Sequence, residues 1–168
     1  QESGAVVCLD MATGQPAWEN TELRRRWTAI VYGPEIYVLG VDGTLAGYDE
    51  HTGALRWQRE APVDSMLADG GRVVCASRDG LAAYRARTGE ELWTFRAPPG
   101  EDPAILALQG NVIVAISGGI LRRLDAATGR VVLSQDIGID DIQAVACEES
   151  RIHLRTVNQC YVTLDSNG

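Results

Sequence analysis

The sequence predicts an all-β protein built from repeated four-stranded antiparallel units, and three observations carry that prediction. The pair Thr-Gly recurs at 13–14, 52–53, 88–89 and 128–129, with glycines 39, 36 and 40 residues apart, and Asn167-Gly168 closes the chain a further 39 residues on. Each glycine is framed: four residues before it stand Asp10, Asp49, Arg85 and Asp125, and four residues after it Trp18, Trp57, Trp93 and Leu133. Between turn signals lie short β-branched runs such as EIYVLGV, RVVCAS and NVIVAIS, and no useful length keeps helical spacing. Four short strands in a period near 40 residues are the pattern of β-propeller blades.

With the strands of a blade named A to D, the chain opens on C and D at 5–10 and 15–19. A full blade follows with A at 28–32, B at 36–41, C at 44–49 and D at 54–59. The next has its strands at 65–68, 72–77, 81–85 and 90–95, and the third at 104–108, 111–116, 120–125 and 130–135. The end supplies A, B and C at 143–147, 151–157 and 160–165. This reads as one domain over 1–168, with full blades at 27–60, 63–96 and 103–136 and blade remnants at 1–20 and 142–168. Joining the closing A–B–C to the opening D makes four blades and leaves one strand C over. The expectation is therefore about four blades, belonging to a larger propeller or to one completed by a second copy, with an unpaired strand edge at the open end.

The turns explain the punctuation. Asp42-Gly43, Asp79-Gly80 and Gly118-Gly119 are expected as B–C hairpin turns, where positive φ favours glycine. The Asp-x-x-Thr-Gly stretch is the C–D turn: Asp and Thr side chains accept backbone N–H groups, and Gly14, Gly53, Gly89 and Gly129 take the left-handed conformation. The tryptophan then falls on strand D, where a large ring fills the wedge between blades and donates its indole N–H. Arg85 in place of Asp, and Leu133 in place of Trp, predict a weaker turn or blade junction at those places.

Composition bounds the function. At 45% hydrophobic and 23% charged residues the chain is globular, and no apolar run approaches the ~20 residues of a membrane helix. All 15 basic residues are arginine, which excludes a Schiff-base or phosphate-loop lysine. A net charge of −8 argues against nucleic acid as partner. Gln1 opens the chain with no signal-like segment after it, compatible with a removed targeting peptide or a cut piece, and an extracytoplasmic location is expected ahead of a cytoplasmic one. Cys8, Cys75, Cys147 and Cys160 lack metal-binding spacing, and Cys147 and Cys160, two strands apart in one blade, are expected to stay unlinked. His51 and His153 form no catalytic set, and no nucleophile motif is present.

The stretches LDMATGQPAW, YDEHTGALRW, YRARTGEELW and LDAATGRVVL resemble the repeat of the quinoprotein-like propellers. In that family the tryptophan ties neighbouring blades together, which implies structural docking roles for Asp10, Gly14, Trp18, Asp49, Gly53, Trp57, Gly89, Trp93, Asp125 and Gly129. Family members divide into cofactor-using dehydrogenases and non-catalytic scaffolds, among them an outer-membrane protein-assembly lipoprotein and sensor propellers attached to bacterial kinases. The dehydrogenases carry an adjacent Cys-Cys pair beside a quinone, and this chain has none. The resemblance therefore implies a scaffold or sensor that binds protein or peptide, without catalysis, cofactor or metal. The alternative is part of a quinone-dependent oxidoreductase.

Binding is expected on the D–A loops, the most varied segments between repeats. Arg24, Arg25, Arg26 and Trp27 are suited to grip an acidic or extended peptide by fork pairing and stacking. Asp64, Asp102, Asp140 and Asp141 lie on the same set of loops. The competing reading of the arginine run is a solvated loop with Trp27 tucked onto the first blade, and Asp140-Asp141 and Glu101-Asp102 offer carboxylates that with loop carbonyls would hold a cation, although no spacing of calcium-loop type supports it.

Overall fold

The computed structural model describes residues 5–21, 27–32, 35–40, 42–61, 63–69, 71–139, 142–147, 151–157 and 161–165. The described elements are all strands. β1 (Val6–Leu9) and β2 (Pro16–Asn20) form a two-stranded sheet. β3 (Trp27–Tyr32), β4 (Ile36–Gly40), β5 (Thr44–Tyr48) and β6 (Leu55–Glu60) form the first four-stranded sheet. β7 (Ser65–Asp69), β8 (Arg72–Ser77), β9 (Gly80–Arg85) and β10 (Glu91–Arg96) form the second, and β11 (Ala104–Gln109), β12 (Val112–Ser117), β13 (Ile120–Asp125) and β14 (Val131–Asp136) the third. β15 (Ile142–Cys147), β16 (Arg151–Thr156) and β17 (Tyr161–Asp165) close the chain as a three-stranded sheet.

Within every sheet the spatial order equals the chain order and each ladder is antiparallel, so the β-propeller class read from the sequence is the fold observed. Inner strands meet from blade to blade: β3 packs on β7, β7 on β11, and β11 on β15.

The alternation of side chains explains why the B and C strands read as continuous apolar runs. On β8, Val73 and Cys75 join a cluster with Tyr37, Leu39, Leu45 and Trp57 of the preceding blade. Their neighbours Val74 and Ala76 point the other way, into a cluster with Ile113, Ala115 and Leu124 of the following blade. A strand buried on both faces needs apolar residues at every position, whereas the outer strands need them only on one side. Accordingly β6 and β10 bury Trp57 and Trp93 while most of their other residues are exposed.

One turn differs from its sequence reading. Ser77 pairs with Gly80, so Arg78 and Asp79 form the hairpin loop and Gly80 is the first residue of β9. The glycine is needed for another reason: a Cβ there would lie 1.9 Å from the Phe95 carbonyl oxygen. The outer strand crosses too closely for any side chain.

Candidate binding surface

Antiparallel strands place the A–B and C–D turns on one face of the row of blades and the B–C and D–A connections on the other. Repeated backbone bonds stitch each face. Ala86 and Ala126, just after the C strands, donate to Gly71 and Asn111 of the A–B turns. On the opposite face Ala61, Ala97 and Ile137 donate to Gly43, Asp79 and Gly119.

The C–D turn is a side-chain-locked loop. Asp49 Oδ1 accepts the N–H groups of His51 (3.0 Å) and Thr52 (2.9 Å) and the Thr52 hydroxyl (3.0 Å). Asp10 and Asp125 make the same three bonds in their own turns. Donors aimed at a carboxylate favour its charged form. The Thr52 backbone N–H, then its hydroxyl and the Arg56 guanidinium, hold Asp49 down at about 2. Asp10 and Asp125 are lowered as well, chiefly by the hydroxyls of Thr13 and Thr128. In the Arg85 turn the backbone bond from Gly89 to the Arg85 carbonyl persists at 2.9 Å, but Arg85 instead pairs outward with Glu90 at 2.9 Å.

Each of the three repeat tryptophans, Trp18, Trp57 and Trp93, is received by the turn of the next blade. Trp18 donates its indole N–H to the Glu50 carbonyl (2.8 Å), Trp57 to Ala86 (2.8 Å) and Trp93 to Ala126 (3.0 Å). The rings lie over Gly53, Gly89 and Gly129, where an added Cβ would fall 2.4, 2.5 and 2.4 Å from a ring atom. These glycines are also left-handed, at φ of 69°, 66° and 70°. Gly14 has the same φ of 69° with nothing within 4 Å of its Cβ direction. Leu133 is half-buried on β14, and the turn it would face follows β17, outside the described residues.

Glu35 carries no distinguishing sequence context, standing in a turn after Gly-Pro, yet it is 3% exposed. Its Oε1 lies 3.5 Å from Arg56 Nε and 3.9 Å from Arg87 Nε of the next blade, while Oε2 has no hydrogen-bond partner among the described residues. Burial pushes its carboxyl above the ordinary value, against the pull of the two guanidinium groups. Arg59 likewise crosses a junction, with its guanidinium 4.2 Å from the Tyr84 ring centroid. Both residues carry polar sequence signals that conceal an interblade position.

On the opposite face Asp64 and Asp102 are exposed, each leading into an inner strand. Asp64 donates its N–H to the Ala76 carbonyl and Asp102 to the Ser117 hydroxyl, both at 2.8 Å. Glu101 is locked bidentately by the buried Arg122, which leaves no bare Glu101–Asp102 pair for a cation. Arg78, Asp79, Arg96 and Glu101 line a polar recess of about 440 Å³ between the Arg78–Asp79 hairpin and the 97–101 loop. Arg24, Arg25, Arg26, Asp140 and Asp141 lie outside the described residues, and Trp27 is placed as the first residue of β3, paired with Gly40. Among the described residues no group of three His, Cys, Asp or Glu side chains is arranged to hold a metal. Cys8 and Cys75 are free thiols in different blades, and the unlinked state expected of Cys147 and Cys160 falls on residues whose side chains lie outside the description.

Known proteins share this geometry. The model of the family described as outer membrane protein assembly factor BamB matches residues 2–165. The outer membrane protein assembly factor BamB of Kangiella koreensis is 29% identical over 149 residues, covering 77% of this chain and 37% of that protein. The serine/threonine-protein kinase AfsK of Streptomyces coelicolor is 35% identical over 140 residues, covering 79% of this chain and 17% of the kinase. The crystal structure of BamB from Moraxella catarrhalis superposes with a TM-score of 0.77 at 20% identity, over 98% of this chain and 53% of that one. The chain spans less than half the length of either curated relative.

Proposed function

We propose, because this chain belongs to the family described as outer membrane protein assembly factor BamB, that it is a non-catalytic propeller module which holds other polypeptides during assembly. The observation that carries the reading is the family match over nearly the whole chain, joined to relatives named as assembly factors. The geometry supports it physically. Interblade junctions are locked by buried aromatic rings and backbone bonds, while the connecting loops carry exposed charge. A rigid frame with variable loops suits recognition of extended or folded protein surfaces. Arg24, Arg25, Arg26 and Trp27, with Asp64, Asp102, Asp140 and Asp141, are the loop residues proposed to make contact. The setting proposed for this work is extracytoplasmic, in line with the relatives' names.

The test is photo-crosslinking from Asp64 and Asp102 positions to an unfolded outer-membrane β-barrel protein diluted from urea. Crosslinks from the loop face, with slowed aggregation of the barrel protein, are expected. Crosslinking no greater than from an outer-strand position such as Val132 sinks the reading. A parallel titration with pyrroloquinoline quinone and calcium, followed by dye reduction, is expected to give no turnover, and turnover would move the chain to the oxidoreductase branch. Ligand sensing is a second reading, favoured by the 35% identity to the kinase AfsK.

A further inference from the structure

We propose that the cleft between the first two complete blades binds a small free monocarboxylate with an apolar body, the body in the cleft and the carboxylate beside Arg78 and Arg96. The proposal goes beyond the assembly reading and does not depend on it.

Comparison of two junctions shows why this cleft is open. Ala82 of β9 occupies, one period earlier, the place of Arg122 of β13: Ala82 pairs with Cys75 as Arg122 pairs with Ala115. Between the second and third blades the wedge beside the outer strand is filled. There Arg122 is only 8% exposed, with its guanidinium 6.0 Å from the Phe95 ring centroid and a 2.9 Å bond to Glu101. Between the first and second blades the connecting loop is shorter and brings Val63 instead, and the small Ala82 leaves a cleft of about 390 Å³. Both blades that wall it have all four strands paired.

The chemistry of the cleft divides along its length. Val63, Cys75, Ala82 and Tyr84 line its inner part, with Ser77 and Thr94 beside them. Burial pushes the Cys75 thiol up to about 12, so this floor stays uncharged at neutral pH. At one end Asp79 and Arg96 line both the cleft and the recess of about 440 Å³ that also takes in Arg78 and Gly100. Arg78 and Arg96 are exposed and make no hydrogen bond or ion pair among the described residues, whereas Arg59, at the same junction, is paired with Glu91. In the adjoining loop Ala97 donates to Asp79, Glu101 donates to Pro98, and the two prolines have no N–H, so Gly100 carries an amide without an acceptor among the described residues. Glu101 is neutralised by Arg122. Two guanidinium groups therefore face the single free carboxylate of Asp79, and this end is locally positive on a chain that carries −8 overall. An apolar slot with a few converging polar groups is the ordinary form of a small-ligand site, and guanidinium groups pair strongly with carboxylates. An anion without an apolar body leaves the slot unfilled, and a neutral apolar molecule leaves both guanidinium groups unpaired.

The experiment uses the whole chain with phenylbutyrate as probe, followed by isothermal titration and by amide chemical shifts. Saturable binding is expected, with shifts concentrated at residues 75–84 and 94–100. Phenylbutanol, the same body without the charge, should bind about tenfold more weakly or worse. Arg78→Gln and Arg96→Gln, both at exposed positions, should each weaken the acid by about three- to tenfold, and Asp79→Asn should strengthen it by roughly twofold or more. Ala82→Leu fills the cleft and should remove binding without lowering the thermal midpoint. The proposal is overturned by absent binding at about millimolar probe, by equal binding of the alcohol, by unchanged affinity in both arginine variants, or by retained binding in a folded Ala82→Leu protein. Acetyl-Gly-Gly-Leu, which offers its carboxylate at a peptide end, should bind more weakly than phenylbutyrate, and tighter binding would overturn the assignment to a free acid. Crosslinking from Asp64 and Asp102 to unfolded barrel protein tests the assembly reading separately, so either reading can fail while the other stands.

Discussion

Substituting Gly89 by alanine should separate two costs that the repeat combines in one residue. The backbone at Gly89 sits at φ 66°, and the new Cβ would lie 2.5 Å from Cε3 and 2.7 Å from Cδ2 of Trp57. A left-handed alanine alone costs about 1–2 kcal/mol. Neither ring atom can move aside without withdrawing Trp57 from its 2.8 Å bond to the Ala86 carbonyl, and the ring is only 8% exposed. Losing that bond costs about 1 kcal/mol, and re-exposing part of the ring roughly another 1–2 kcal/mol. Gly89→Ala should therefore destabilise by about 3–5 kcal/mol, a large share of the stability of an ordinary domain. Gly110→Ala is the internal control, because its φ is 55° and nothing lies within 4 Å of the added carbon. It should cost only the backbone part, about 1–2 kcal/mol. Denaturant unfolding followed by far-ultraviolet circular dichroism gives both values, and a red shift of tryptophan emission should accompany only the first. Equal destabilisation by the two substitutions would refute the ring-docking account.

Three further outcomes follow from the turns and the buried carboxylate. Asp49→Asn should lower stability at neutral pH: the folded carboxyl is depressed from 3.8 to about 2, so its contribution is present above the ordinary value and lost as pH falls through the folded one. Acid titrations of the two proteins should converge between about pH 4 and 2, and a gap unchanged at the acid end would contradict the sign. Arg85→Asp restores the acceptor found in the other three turns and should raise the thermal midpoint by roughly 2–4 °C, and a lower midpoint would mean that the Arg85–Glu90 pair matters more than the turn bonds. Glu35→Gln should stabilise at pH 8 but not at pH 4, since a raised carboxyl destabilises the fold only once it must ionise. An equal loss at both pH values would assign Glu35 a role as an acceptor for Arg56 and Arg87 instead.

Much of the fold was readable because its determinants are local. Asp49, Thr52 and Gly53 make a turn within five residues, and Trp57 follows at a fixed offset on the outer strand. What local pattern could not reveal is the acceptor of each indole: Glu50, Ala86 and Ala126 are 32, 29 and 33 residues away and contribute only a backbone carbonyl, which any residue type possesses. The same limit hid Glu35, which is buried beside Arg56 of β6 and Arg87 of the neighbouring blade. Gly80 was visible as a turn residue, but its actual constraint is the passage of Phe95, a contact between strands. The loops proposed for binding carry no repeat at all, so their chemistry has no internal copy against which to be read.

The forward docking of Trp18, Trp57 and Trp93 gives the row of blades a direction. Each unit carries one plug, its indole, and one socket, the glycine and carbonyl of its own turn, and the two ends of any whole number of units match. A gene that gains or loses one period by recombination therefore yields a chain whose new junction is already complementary, with no compensating substitution required. Lengths within such a lineage should change in steps of one repeat, and the odd unit with leucine for its plug marks a place where that exchange is least constrained.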